Sequence, residues 1–347
     1  MLTVDFKTLY LKKRFPLRIS RGVFEGSDNL FVSVSDGTHT GWGEMAPGST
    51  EGADTVEAGT AMLRAFVAEG LDENSIHRTW ANAHAAGVAP CALAALDMAL
   101  WDLRAKQANM PLYRLLGLSR RAVASSVTIG INPPDVVRQR VPFLLDQGAK
   151  ALKIKLGTPD GIETDKAMYQ AVLDATEARP DIVLRVDANG GWSLRDAKHM
   201  MAWLADRRCE YVEQPLVRGA EDQLPELFAD RPLPIYVDES CRLSTDIPAF
   251  AHCVDGVNLK LMKAGGITEA LRIVATARAF GLGTMIGCMG ESSISIAAGA
   301  SLGELFDYID LDSHLNLDPD PADGAPFVDG TTLPADRPGH GGQLKHA

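Results

Sequence analysis

The sequence predicts an α/β chain in which an N-terminal α+β domain precedes a (β/α)8 barrel. Three observations carry this reading. Strands run before helices over the first 120 or so residues. From about residue 122, short apolar strands alternate strictly with helical segments. The 347 residues accommodate a barrel of about 250 residues with a second domain of about 100.

The elements follow in order. Residues 2–13, 28–35 and 38–44 are rich in β-branched and aromatic residues and bounded by turn signals such as Asp36-Gly37, so they read as an antiparallel meander. Helical patterns follow at about 51–69, 74–85 and 90–107. The last, PCALAALDMALWDLRAKQ, carries Pro90 near its start, where a missing N–H costs no helical bond. Strands followed by helices make an α+β domain, taken as residues 1–121.

Apolar strands then recur at 123–130, 151–156, 182–187, 210–213, 235–238, 256–260, 283–287 and 306–311, with helical segments such as 193–206 and 266–280 between them. Continuously apolar strands alternating with helices imply a parallel sheet covered by helices. The barrel is taken as residues 122–312. Residues 313–347, rich in Pro, Gly and Asp with a strand-like piece at 326–333, form a tail expected to return to the first domain.

Composition is that of a globular protein, with 46% hydrophobic and 23% charged residues. The formal charge of −11 lacks the basic footprint of a nucleic-acid partner. Cys91, Cys209, Cys241, Cys253 and Cys288 are spread out and form no CxxC pair, which suits a reduced, cytoplasmic protein. MLTVDFKTLYLKK has no apolar signal core, and no run of about 18 apolar residues offers a membrane span.

The charges of the barrel strands fall in one register. Lys153 and Lys155 lie in strand two. Asp187, Glu213 and Asp238 end strands three, four and five, Lys260 ends strand six, and Asp310 and Asp312 end strand eight. The steps 187 to 213 to 238 to 260 are 26, 25 and 22 residues, one β/α unit each. All of these residues therefore belong at the carboxyl-end mouth, where barrel enzymes place their chemistry. Three carboxylates from adjacent strands repel one another unless a cation lies between them, and hard oxygen ligands favour Mg²⁺, with Mn²⁺ as the alternative ion. The competing reading is that they cap helices or pair with the lysines. Lys263 is expected in a loop or at the edge of the mouth.

Lys153 and Lys155, two apart, face the same way, and Lys260 lies across the barrel. Lysines on both sides of a metal-bound carboxylate suggest 1,1-proton transfer. One lysine removes an α-proton, the metal stabilises the enediolate, and the opposite lysine returns a proton to the other face.

The motifs ALKIKLG, RVDANGGW, VEQPL, VDES and VNLKLMKAGG, in this order and after GWGEMAP, resemble the enolase superfamily, in its muconate-lactonizing-enzyme subgroup. The resemblance covers essentially the whole chain. It implies a modified TIM (β/α)-barrel with an N-terminal α+β capping domain. Within the subgroup, Asp310-Leu311-Asp312 and Gly287-Cys288-Met289 are similar to segments of the dipeptide epimerases, typified by the L-Ala-D/L-Glu epimerases of murein peptide metabolism.

The resemblance implies Asp187, Glu213 and Asp238 as Mg²⁺ ligands, Lys155 and Lys260 as the acid/base pair, and Lys153 as support for the substrate carboxylate. It implies Asp310 and Asp312 as holders of the dipeptide's ammonium group. The implied activity is a cytoplasmic, homo-oligomeric dipeptide epimerase inverting the α-carbon of the C-terminal residue. Specificity is expected from the first capping loop, PLRISRGVFEGSDN (16–29), with Arg21, Phe24 and Met289 at the substrate. Phe24 stands where the glutamate-specific enzymes would carry an arginine. Phe24 and Glu25 would favour an apolar or cationic second residue. Glu291 and Ser292 either line the site or cap helix seven.

Rivals on the same scaffold are muconate cycloisomerase, o-succinylbenzoate synthase and N-acyl amino acid racemase, none of which needs the two acids of strand eight. Acid-sugar dehydratases use a histidine near strand seven, and GTMIG has none. A non-catalytic metal-binding barrel would not need lysines on both sides.

Overall fold

The computed structural model describes residues 2–72 and 74–345. Strands β1 (Thr3–Ile19), β2 (Gly22–Ser35) and β3 (Thr40–Met45) form an antiparallel sheet in that order. β1 and β2 pair from Thr3↔Ser35 to Ile19↔Gly22, with a register shift between Lys12 and Leu17. The segment 16–29, expected as a loop, is thus largely a hairpin arm turning at Ser20-Arg21. Its residues Leu17, Ile19, Val23 and Phe24 suit an extended chain, which carries the turn far beyond the sheet that packs on the core.

Helices α1 (Val56–Ala68), α2 (Ile76–Ala85) and α3 (Pro90–Gln107) complete this part of the chain. Thr55 and Ser75 cap α1 and α2 by accepting from Ala58 N and Arg78 N. The centre of α3 is buried nearly all round. β3 lies so close to it that a Cβ at Gly41 or Gly43 would sit 2.0 Å or 1.9 Å from the carbonyl oxygens of Ala99 and Ala95. Only glycine permits that approach.

The barrel is one eight-stranded parallel sheet. Its strands are β4 (Ser126–Ile129), β5 (Ala151–Lys155), β6 (Val183–Asp187), β7 (Cys209–Glu213), β8 (Ile235–Val237), β9 (Gly256–Lys260), β10 (Gly283–Gly287) and β11 (Tyr308–Ile309). Seven helical crossovers join them, among them Pro134–Asp146, Leu194–Ala205, Ile267–Ala279 and Ser293–Ala300. After β11 comes a 3-10 turn, Ser313–Asn316, in the place of an eighth helix.

The first and last barrel strands are shorter than the sequence predicts, because side chains take over the ladder at the seam. Ser125, just before β4, meets β11 in a parallel bridge with Ile309. Beyond it Leu311 N donates to Ser125 Oγ (3.0 Å) and Thr128 N to Asp312 Oδ2 (2.6 Å). At the amino end of the strands, Tyr211, Tyr236, Tyr308 and Met285 pack together. Arg185 lies over the rings of Tyr211 and Tyr308. This plug leaves the carboxyl-end mouth as the open side.

Buried polar groups tie the N-terminal elements to the barrel. Asp97 of α3 accepts from Thr268 N (2.9 Å) and Thr268 Oγ1 (2.6 Å), and Trp80 Nε1 donates to Gly265 O (2.8 Å). In the tail, Phe327–Val328 pairs with Thr331–Thr332. His340 N donates to Asp102 Oδ1 (2.8 Å) and Leu112 N to Gly339 O (2.8 Å). Among the described residues no helix is long and apolar enough to cross a membrane.

Candidate active site

Strand ends bring the charged residues to one place. Asp187, Glu213 and Lys260 are the last residues of β6, β7 and β9, and Asp238 follows β8. Asp187, Glu213 and Asp238 are fully buried, and each offers a carboxylate oxygen within 4.8 Å of the others. Backbone geometry aims them. Asn189, at φ +44°, donates from its N to Asp187 Oδ1 (2.8 Å) and from Nδ2 to Oδ2 (3.0 Å). Gln214, at φ +37°, receives Asp238 N on Oε1 (2.8 Å). Asn258 Nδ2 holds Glu213 Oε1 at 2.6 Å.

The lysines interleave with these acids. Lys155 Nζ is 2.5 Å from Asp187 Oδ2 and Lys260 Nζ is 2.7 Å from Asp238 Oδ2. Lys153 bonds Asp310 and lies 2.7 Å from Glu213 Oε2 and 3.7 Å from Asp187 Oδ2. The ion pairing foreseen as the competing reading is therefore present. The side chains of Lys155 and Lys260 keep 9% and 8% of their surface, whereas Lys153 keeps none. Two lysines reach the open mouth and the third lies beneath it.

Electrostatics differ among the acids. Burial opposes ionisation of Asp187, but the Lys155 and Lys153 ammonium groups outweigh it and hold its pKa low. Asp238 is held low in the same way by Lys260 and Lys263. Glu213 goes the other way. Burial and then the Asp187 charge push it up to about 7. Its Oε2 is buried without a hydrogen bond despite the nearby Lys153. Three buried carboxylates, each with an oxygen within 4.8 Å of the others, are a donor set that a hard divalent cation would satisfy, so these residues fit Mg²⁺.

Lys263 is a correction. The sequence reading placed it in a loop or at the edge of the mouth. It is buried in the short helix Leu261–Ala264, with Nζ bonded to Asp238 Oδ1 (2.5 Å), to the carbonyl of Asp238, and to the carbonyls of Cys241 (3.0 Å) and Asn258 (3.1 Å). One helical turn after Lys260 returns the side chain beneath its neighbour.

Asp310 and Asp312 lie just beyond β11. Asp310 Oδ2 bonds Lys153, while its Oδ1 is buried without a partner. Asp312 gives Oδ2 to the seam at Thr128 N, and the Cys288 thiol lies 3.8 Å from its Oδ1. Burial, then the charge of Asp310, pushes Asp312 up to about 6.

The hairpin tip reaches over the mouth. Arg21 Nη1 pairs with Glu239 Oε1 (2.6 Å) and donates to Asn189 O (3.3 Å), and Ser20 Oγ donates to the same carbonyl (3.0 Å). Ser20, Arg21, Thr50, Asn189, Gln214 and Glu239 are among the residues lining a cavity of about 380 Å³. Phe24 is outside this lining and 45% exposed. Met289 is half-buried, its N donating to Glu291 Oε1 (2.8 Å). Ser292 caps the helix Ser293–Ala300 through Ile294 N. Sequence reasoning missed Glu44 of GWGEMAP. It is fully buried and accepts from Asn29 Nδ2, Ser292 N and Oγ, and Ser295 N. Its only sequence signal was its place in that motif.

Residues 3–117 match the model of the mandelate racemase/muconate lactonizing enzyme N-terminal domain, and residues 136–347 match the enolase C-terminal domain-like model. A hydrophobic dipeptide epimerase of Roseobacter litoralis is 75% identical over 346 residues, all of both chains. Another, from a Flavobacteria bacterium, is 57% identical over 98% of this chain and 97% of its own. The dipeptide epimerase of Enterococcus faecalis V583, solved with Mg and L-Leu-L-Tyr, superposes with a TM-score of 0.89. It is 32% identical, over 98% of each chain.

Proposed function

The chain belongs to the mandelate racemase/muconate lactonizing enzyme family of enolase-like proteins, and on that premise we propose that it is a Mg²⁺-dependent epimerase of hydrophobic dipeptides. The observation that carries the reading is the placement of Lys155 and Lys260. They come from β5 and β9, on either side of the three carboxylates, and each keeps a little open surface. The names of the relatives at 75% and 57% identity support the substrate class.

Asp187, Glu213 and Asp238 would hold Mg²⁺, which supplies positive charge to the substrate carboxylate as its α-proton leaves. Lys155 takes or gives the α-proton on one face and Lys260 on the other, so the C-terminal residue is inverted. Lys153, beneath them, adds a fixed positive charge. Asp310 and Asp312 receive the ammonium group, and the unpartnered Asp310 Oδ1 supports this role. Arg21 anchors the hairpin tip over the site through Glu239 and Asn189. Burial would lower the Lys260 pKa, but the Asp238 carboxylate outweighs it and raises it.

The five free cysteines support a cytoplasmic location. The test is a dipeptide library incubated in D₂O and read by mass spectrometry. Deuterium should enter the C-terminal α-carbon of hydrophobic dipeptides. Turnover of acyl amino acids without exchange into any dipeptide overturns the reading.

A further inference from the structure

Asp165 stands back from the charged cluster, yet it joins the two loops on the Lys155 side of the mouth. It sits in the first turn of the helix Ile162–Ala175 and is 2% exposed. A helical side chain leans toward the amino end of its helix, so this carboxylate turns back on the loop that leaves β5. Oδ2 accepts from Gly157 N (2.9 Å) and Oδ1 from Thr158 N (3.1 Å). Gly157 is the second residue after Lys155. Oδ2 also accepts from Trp192 Nε1 (2.8 Å), in the loop that follows Asp187 and β6.

Backbone contacts close the same junction. Lys155 and Asp187 are register partners across β5 and β6, and Leu156 N donates to Asp187 O (2.9 Å). Gly157, at φ +79°, lies so near the next loop that a Cβ there would sit 2.3 Å from Ala188 O. Lys260 is supported differently. It ends β9 and runs into the short helix that Lys263 ties to Asp238. Sequence spacing gives no sign of Asp165, because its three donors come from two other loops.

We infer that Asp165 is a positioning residue that holds Lys155 in place for proton transfer on its own face of the substrate. The inference rests on the two-lysine reading above and deepens it. Removing the carboxylate leaves three buried donors without an acceptor, a penalty that loop movement relieves. That movement would begin two residues from Lys155. Misplacing a reacting group by about 1 Å costs about 10²-fold in rate. Lys260, across the triad, keeps its own supports. Loss of Asp165 therefore unbalances the two directions of the reaction instead of weakening both alike.

The experiment follows α-proton exchange in D₂O by proton NMR, started separately from each epimer of one hydrophobic dipeptide at saturating Mg²⁺. The epimer served by Lys155 is the one whose exchange Lys155→Ala abolishes. In Asp165→Ala that epimer should lose about 10²-fold in exchange and the other less than about threefold. Asp165→Asn keeps one carbonyl oxygen, enough for Gly157 N and Trp192 Nε1, so it should recover to within about tenfold of the unsubstituted protein. Trp192→Phe cuts only the tie to the β6 loop and should show the same asymmetry in smaller measure. These two variants carry the test if Asp165→Ala does not fold. Equal loss from both epimers, the signature of a weakened ion site or a loosened fold, overturns the positioning role. So does unchanged exchange from both epimers in the folded Asp165 variants. Absence of exchange from every dipeptide in the unsubstituted protein, or no selective loss in Lys155→Ala, overturns the two-lysine reading instead.

Discussion

Lys263 holds Asp238 at two points, its Nζ bonding both Oδ1 of the carboxylate (2.5 Å) and the carbonyl oxygen of the same residue. Asp238 Oδ2 is left for Lys260 and for the metal ion proposed above. Lys263 thus fixes which oxygen of Asp238 faces the site. Replacing it with methionine keeps the bulk and frees the carboxylate to rotate. Divalent affinity should fall about 10- to 100-fold, as for other groups that orient metal ligands. Mn²⁺ binding followed by electron paramagnetic resonance checks this without reference to turnover. Unchanged affinity in a folded Lys263→Met protein removes the orienting role.

Lys155 and Lys260 lie on opposite sides of the carboxylate triad, so their variants should fail differently. Lys155→Ala and Lys260→Ala should each lose about 10²- to 10⁴-fold in epimerisation. Each should still exchange the α-proton of one epimer of the dipeptide, and the two variants should retain opposite epimers. Proton NMR in D₂O, started separately from each epimer, reads this directly. Exchange of both epimers at the parental rate in either variant contradicts assignment of one lysine to each face.

The site was legible because barrel geometry converts sequence spacing into position. Steps of about one β/α unit placed Asp187, Glu213, Asp238 and Lys260 at one mouth, where the structure brings them together. Lys263 was not legible in the same way. A single helical turn after a strand directs a side chain by backbone geometry that spacing does not encode. Phe24 was placed by register against a loop, but the loop is strand-paired and Phe24 points out of the cavity lining. The shortening of β4 and β11 depended on Asp312 and Ser125 replacing ladder bonds, a substitution that hydrophobic pattern does not report.

Glu44 joins the N-terminal sheet to the barrel helix Ser293–Ala300. Its carboxylate accepts from Ser292 N (2.9 Å), Ser292 Oγ (2.6 Å) and Ser295 N (3.3 Å) at that helix's amino end, and from Asn29 Nδ2 (2.8 Å). Truncation leaves several buried donors without an acceptor. Glu44→Ala should cost about 2–4 kcal/mol of stability, read as a shifted denaturant midpoint. Glu44→Gln should cost less, because one oxygen acceptor remains. Equal stability of Glu44→Ala and the parent sinks the idea that this carboxylate clamps the two parts together.

Glu291 is buried beside the mouth, with Oε1 accepting from Met289 N (2.8 Å). Burial pushes its carboxyl from 4.5 up to about 8, more than that hydrogen bond can offset. At neutral pH the folded protein therefore keeps a proton there that the unfolded chain has released. Linkage gives the sign. Between about pH 4.5 and 8 the native state binds more protons at this residue, so its contribution to stability falls as pH rises, by at most about 1.4 kcal/mol per pH unit. Above about pH 8 both states are ionised and the slope vanishes. Glu291→Gln removes the ionisable group while keeping its shape, so the variant should gain on the parent progressively from pH 5 to pH 8. Denaturation at a series of pH values measures the difference. A gap between the two proteins that stays constant over this range shows that Glu291 is ionised in the folded state.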